Sequence, residues 1–98
     1  MNITKDRKTN IVEVTFKIRS NKFTDSISGL DTYLGKKQDK NITITYKKKV
    51  KSNKTFYRIK LIGKEEKVIE TIKVFDNIIQ VKDINWMGVI EKIKNGEY

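Results

Sequence analysis

Between Ile42 and Ile62 the chain alternates apolar and polar residues in two successive runs, with Ser52-Asn53 between them. A period of two is the signature of a half-buried strand, and two such runs around a short polar turn read as a β-hairpin. Asn tolerates the left-handed backbone that a tight turn needs, which centres the loop on Ser52-Asn53. Pairing about that centre sets Lys49 opposite Phe56, Lys47 opposite Arg58 and Thr45 opposite Lys60. It also sets Tyr46 opposite Ile59 and Ile44 opposite Leu61. Both arms then agree on which face is apolar and which is charged, and a slip of one residue would destroy that agreement.

The charged face is costly. Like charges directly across a sheet destabilise it by a few tenths of a kcal/mol or more, of order ~0.2–1 per pair. Here Lys47 faces Arg58, Lys49 and Lys60 lie diagonal to them, and Lys48, Lys51 and Lys54 surround the tip. Selection for stability alone would have interleaved Glu or Thr. The repulsion makes sense if a polyanion lies on this face, and Phe56 in its middle then offers a surface for a sugar or a base. For any single lysine a solvated side chain is the plainer reading, but the cluster favours nucleic-acid contact. Lys36 and Lys37, just before the hairpin, extend the candidate set.

Composition matters here through its distribution. The net charge is +10 over 98 residues, but lysine, isoleucine and asparagine abound while alanine and proline are absent, as in AT-rich genomes. Such a bias would spread lysine evenly. Instead residues 1–35 carry six basic and four acidic side chains, residues 36–60 ten and one, and residues 61–98 six and seven. Nearly all the excess falls in one window. Lysine outnumbers arginine nineteen to three (Arg7, Arg19 and Arg58). Arginine forks read guanine edges, whereas lysine acts as a mobile point charge, so backbone contact is expected more than base reading.

Other classes are disfavoured. Cysteine and histidine are absent, which removes disulfides, the usual zinc sites and the commonest neutral-pH acid/base. An acid followed later by an acid-x-Lys triplet, the pattern of metal-dependent nucleases, is met formally by Asp39 with Glu65-Glu66-Lys67. That triplet reads as a surface turn with no second carboxylate cluster, so neither an enzyme nor a metal or other cofactor is expected. No apolar run approaches the ~18 residues of a membrane span, and Met1–Lys8 has no signal-peptide core. A soluble, cytoplasmic protein is expected.

Read in order, residues 1–10 show no periodicity and are expected to be flexible. Ile11–Ile18 is a strand with Val12, Val14, Phe16 and Ile18 on one side and Glu13, Thr15 and Lys17 on the other. Phe23, Ile27, Leu30 and Leu34 make a helical stripe, with Thr24 and Asp25 at its start, Gly35 at its end, and Gly29 marking close packing against the sheet. Gly63–Lys67 reads as a turn. Val68–Phe75 is ambiguous: its β-branched residues favour a strand, although Val68, Ile72, Phe75 and Ile79 also form a helical stripe. The strand is preferred, and Asp76-Asn77 would end it, with Ile78–Val81 extended. A last helix has Asp83 as its cap, a Trp86, Val89, Ile90, Ile93 stripe and a stop at Asn95-Gly96, with Trp86 in the core and its indole N–H needing one partner. The expectation is one α+β domain over 1–98: an antiparallel sheet of three to five strands with a Lys-rich β-hairpin, a short helix after the first strand and a C-terminal helix.

Three outlines are similar to known families. Ile27-Ser-Gly-Leu30 with Tyr33, then a basic hairpin, a third strand and a final helix, resembles double-stranded RNA-binding domains over some 70 residues. That family places a lysine cluster at its last helix, where this chain has Lys82-Asp83-Ile84-Asn85. Ile79-x-Val81 with Trp86, Val89 and Ile93 resembles the strand-to-helix end of the positive-cofactor class of single-strand DNA binders. The Lys-tipped hairpin is similar to the wing of winged-helix proteins, without a helix pair before it. All three bind nucleic acid, and none covers enough motif to assign a family.

The sequence therefore leads to a small basic nucleic-acid-binding protein, with double-stranded DNA as the expected ligand and DNA favoured over RNA. The hairpin would lay its Lys47/Lys49/Phe56/Arg58/Lys60 face, or insert its Lys48–Lys54 tip, into a groove, the major groove being about 12 Å wide. About five phosphate contacts would give a log–log salt slope near −4 to −5. A homodimer through Ile11–Ile18 or the Trp86 helix would add contacts. The AT-rich composition suggests a phage or other mobile element, where the protein would assist DNA processing or transcription. The alternative is a protein-binding inhibitor or adaptor, such as an anti-defence protein, acting on an acidic or nucleic-acid-binding partner.

Overall fold

One strand decides the architecture. In the computed structural model, which describes residues 2–21, 28–36, 40–79 and 84–96, the strand Lys54–Lys64 is paired along its whole length on one side and over residues 54–63 on the other. In chain order the elements are β1 (Asn2–Asp6), β2 (Ile11–Asn21), α1 (Ser28–Gly35), β3 (Ile42–Lys51), β4 (Lys54–Lys64), α2 (Glu65–Ile78) and α3 (Trp86–Asn95). The four strands form one antiparallel sheet in the order β1-β2-β4-β3, giving an α+β fold. The expected hairpin is β3–β4, in the expected register: Lys47 with Arg58, Lys49 with Phe56, Thr45 with Lys60. Its turn does sit at Ser52-Asn53, but it is Ser52 that takes the positive φ, 49°.

Alternation sends one residue in two to each face. Val12, Val14, Phe16 and Ile18 of β2 and Tyr57, Ile59 and Leu61 of β4 are all buried on one face, under the helices. The helices meet them with Leu30 and Leu34 of α1, Val68, Ile72 and Phe75 of α2, and Trp86, Val89, Ile90 and Ile93 of α3. Phe16 stands at the centre of this layer, edge-on to Phe75 and Trp86 with ring centroids 5.7 and 5.2 Å away.

The segment read as a third strand is a helix. As a strand, Val68–Phe75 would place Glu70 on the face of Val68 and Ile72, and Lys73 on the face of Ile69 and Phe75. A helix instead turns Glu70 and Lys73 to solvent and buries Val68, Ile69, Thr71, Ile72 and Phe75. Burial of that stripe outweighs β propensity, which spans only about 1 kcal/mol. The Thr71 hydroxyl donates back to the Lys67 carbonyl at 2.9 Å, and Glu65 and Glu66 occupy the first turn, where the helix dipole favours carboxylates. The α-β-β-β-α plan of the RNA-binding domains is therefore not realised. Gly63 is not a turn residue either. It lies within β4, where a Cβ would come within 2.9 Å of the Asn41 carbonyl oxygen.

Three further expectations change. Residues 2–6, read as flexible, form edge strand β1 with Ile3 and Lys5 half-buried. Its turn is tied by Asn10 N–H to Asp6 O (2.8 Å) and Lys8 N–H to an Asp6 carboxylate oxygen (2.9 Å). The start of α2 holds it from the other side, through Glu65 N–H to Asn10 O (3.3 Å) and Lys5 Nζ to Glu65 Oε1 (3.7 Å). Second, the apolar faces of Ile11–Ile18 and of the Trp86 helix, named above for a homodimer, are covered by the protein's own core. Third, the residue at 3.1 Å from a Cβ placed on Gly29 is Ile78, so that glycine brings α1 close to α2 rather than to the sheet. In α3 the cap is Asn85, which accepts from Gly88 N–H at 3.1 Å, and Gly96 closes the helix at φ 69°. Phe23, Thr24, Asp25, Ile27, Asp39 and Asp83 lie outside the described residues. Trp86 is buried as expected, but its indole N–H meets no acceptor among the described residues.

Candidate nucleic-acid interface

The face of the sheet turned away from the helices is built from the other half of the alternation. Along β2 it carries Glu13, Thr15, Lys17 and Arg19. Along β4 it carries Phe56, Arg58, Lys60 and Ile62, and along β3 Thr45, Lys47 and Lys49. Register turns these into rows across the strands. One row is Lys17–Arg58–Lys47, three cations side by side. The next toward the hairpin tip is Arg19–Phe56–Lys49, and the one on the other side is Thr15–Lys60–Thr45.

Neighbouring strands are about 4.8 Å apart, and like charges set directly across a sheet destabilise it by about 0.2–1 kcal/mol per pair. Among the described residues no carboxylate lies within ion-pair distance of Lys17, Lys47, Lys49 or Arg58. Relief is local and stops one row away, where Lys60 Nζ meets Glu13 Oε1 at 3.3 Å with both groups nearly half exposed. Phe56 is half-buried at the centre of the face, with the Arg19 guanidinium carbon 5.9 Å above its ring. The Phe56 ring and the stems of Lys17, Arg19, Lys47, Lys49 and Arg58 bound a shallow depression. A second concavity lies where this face meets the helical layer, lined by Lys17 and Arg58 together with Asn85, the cap of α3, and Gly88 and Lys92 within that helix.

Of the residues singled out from sequence, the structure brings Lys47, Lys49, Phe56, Arg58 and Lys60 onto one face. Lys51 and Lys54 flank the turn as a directly opposed pair. Lys48 belongs to the other face, where its Nζ stands 5.6 Å over the Tyr57 ring. Lys36 follows α1 in the helical layer, apart from the rows, and Lys37 lies outside the described residues. Lys17, Arg19 and Lys92 were missed. Lys17 already stood on the polar side of its strand, but nothing local says that β2 pairs with β4, and that pairing is what completes the row.

The geometry also changes how the hairpin can be used. β2 accompanies β4 as far as Asn21 opposite Lys54, so beside the cation rows the hairpin is never a free two-stranded ribbon. Three strands span about 10 Å between backbones and four about 14 Å, before side chains are added, against a major groove about 12 Å wide. Among the described residues no group of acidic side chains could hold a metal ion, and no helix is long and apolar enough to cross a membrane. No protein-family model, curated protein or solved structure gives a significant match to the chain.

Proposed function

We propose that this is a small basic nucleic-acid-binding protein of the cytoplasm, and that it binds with the open face of its sheet. One observation carries the reading: Lys17, Arg58 and Lys47 stand directly across three neighbouring strands with no carboxylate among them. A fold held for stability alone has no use for that row, since threonine, which occupies Thr15 and Thr45 in the adjacent row, suits a sheet better. A phosphate backbone laid on the row converts the repulsion into attraction and releases counterions. The surface holds the backbone chiefly through point charges, with Arg58 and Arg19 as its two guanidinium forks.

The test is a gel shift at low salt with random duplex, single strand and RNA, followed by a salt titration. With four or five phosphate contacts, log K falls with log salt at a slope of about −3 to −4.5. Arg58→Glu should remove most of the shift while the far-UV circular dichroism stays native. Failure of every nucleic acid to shift at low salt would contradict the reading and leave an acidic protein surface as the anionic partner.

A further inference from the structure

We infer that the ligand of this face is an unpaired strand: a single-stranded segment running across β3, β4 and β2, with one base seated between the Phe56 ring and the Arg19 guanidinium. This rests on the nucleic-acid reading above and adds to it the form of the ligand. It departs from the duplex that the hairpin alone suggested, because the hairpin does not project.

The first support is shape. A surface three strands wide at the cation rows does not enter a groove that admits two strands, but a single strand can lie flat across it. The second is the place of the aromatic. Phe56 occupies the centre of the row Arg19–Phe56–Lys49, immediately beside Lys17–Arg58–Lys47. A duplex shows phosphates and groove edges while its base faces stay stacked inside, so an aromatic ring there adds nothing to its grip. An unpaired base offers a face, and that face stacks on an aromatic side chain whatever the base.

The third support is the spacing above the ring. The Arg19 guanidinium carbon is 5.9 Å from the ring centroid. A base between two flat groups needs about 6.8 Å, twice the ~3.4 Å rise per base of a stacked strand. Arg19 is exposed, so its guanidinium is free to move aside and admit a base. The phosphates on either side of that base then face Lys49, Lys47, Arg58 and Lys17, and Lys92 of α3 continues the cationic path beyond the edge of β2. Nothing in the slot selects between ribose and deoxyribose, so the shared chemistry is an unpaired base on a polyphosphate backbone.

The experiment is fluorescence anisotropy with labelled oligothymidylate, oligouridylate and a duplex of equal length, using the wild type, Phe56→Leu, Phe56→Trp and Arg58→Glu. The wild type should bind one or both single strands at least tenfold more tightly than the duplex, and the better of the two identifies the sugar. Phe56→Leu keeps an apolar strand residue but loses the ring. It should weaken single-strand binding about five- to 150-fold, the ~1–3 kcal/mol of a stacked base, leave duplex binding unchanged, and be rescued by Phe56→Trp. Equal affinity for duplex and single strand, with Phe56→Leu neutral on both, overturns this inference and leaves the nucleic-acid reading standing. If nothing binds at low salt and Arg58→Glu changes nothing, the broader reading fails as well.

Discussion

The two faces of the sheet are made by the same strands and obey opposite rules. Phe16 and Lys17 are neighbours in β2, as are Arg58 and Ile59 in β4. Phe16 and Ile59 are fully covered, and Phe16 sits in an aromatic cluster with Phe75 and Trp86. Lys17 and Arg58 are exposed and set beside other cations. On the covered face each side chain is stabilised by what the protein supplies. On the open face like charges stand side by side at a cost to the isolated protein, which under the proposed function an anionic ligand offsets. A face organised against its own stability is better evidence of a ligand than the net charge of the chain.

That contrast can be broken or sharpened by substitution. The largest effect belongs to the covered face: Phe16→Ala should cost about 3–5 kcal/mol, a large part of the ~5–15 kcal/mol of a domain this size, read by urea denaturation. Its chain neighbour should behave in the opposite sense. Lys17→Ala should leave the urea midpoint unchanged or slightly higher, weaken nucleic-acid binding several-fold, and flatten the salt slope by about 0.7–0.9, one phosphate contact. If Lys17→Ala destabilised the fold as much as a core truncation, the contrast between the faces would collapse. Glu13→Gln should release Lys60 from its 3.3 Å ion pair. Binding should then tighten a few-fold with a steeper salt dependence, while an exposed pair of this kind costs at most about 1 kcal/mol of stability. The smallest effect is expected at the turn. Ser52→Gly relieves a positive φ of 49° and should stabilise by up to about 1 kcal/mol without changing affinity.

Much of this contrast is legible in the sequence, for a physical reason. Period-two alternation is local, so the register of β3 on β4 and the buried side of β2 follow from residues near one another in the chain. What was hidden is non-local. The pairing of β2 with β4 joins residues some forty positions apart, and it alone recruits Lys17 and Arg19 and denies the hairpin its independence. The helix α2 was hidden differently. Its β-branched residues carry a strand preference, and only the uncovered sheet face decides for the helix, which buries Val68 and Ile72 without burying Glu70. β1 left little trace because an edge strand needs only half its residues covered, and Ile3 and Lys5 are the two that are. Gly63 misled for a related reason, since glycine there answers to crowding by Asn41 rather than to a turn.

The central claim is that the cation row burdens the free protein and serves the bound one. The direct measurement is the melting temperature of the wild type and of Arg58→Thr at low salt, each with and without excess oligonucleotide. Without it, the variant should melt a few degrees higher, since two like-charge contacts of about 0.2–1 kcal/mol each are removed and 1 kcal/mol shifts a small domain by about 4–8 °C. With it, the order should reverse, because the wild type binds more tightly and is stabilised further. A variant that melts lower in both conditions, or an oligonucleotide that raises both proteins equally, would contradict the account.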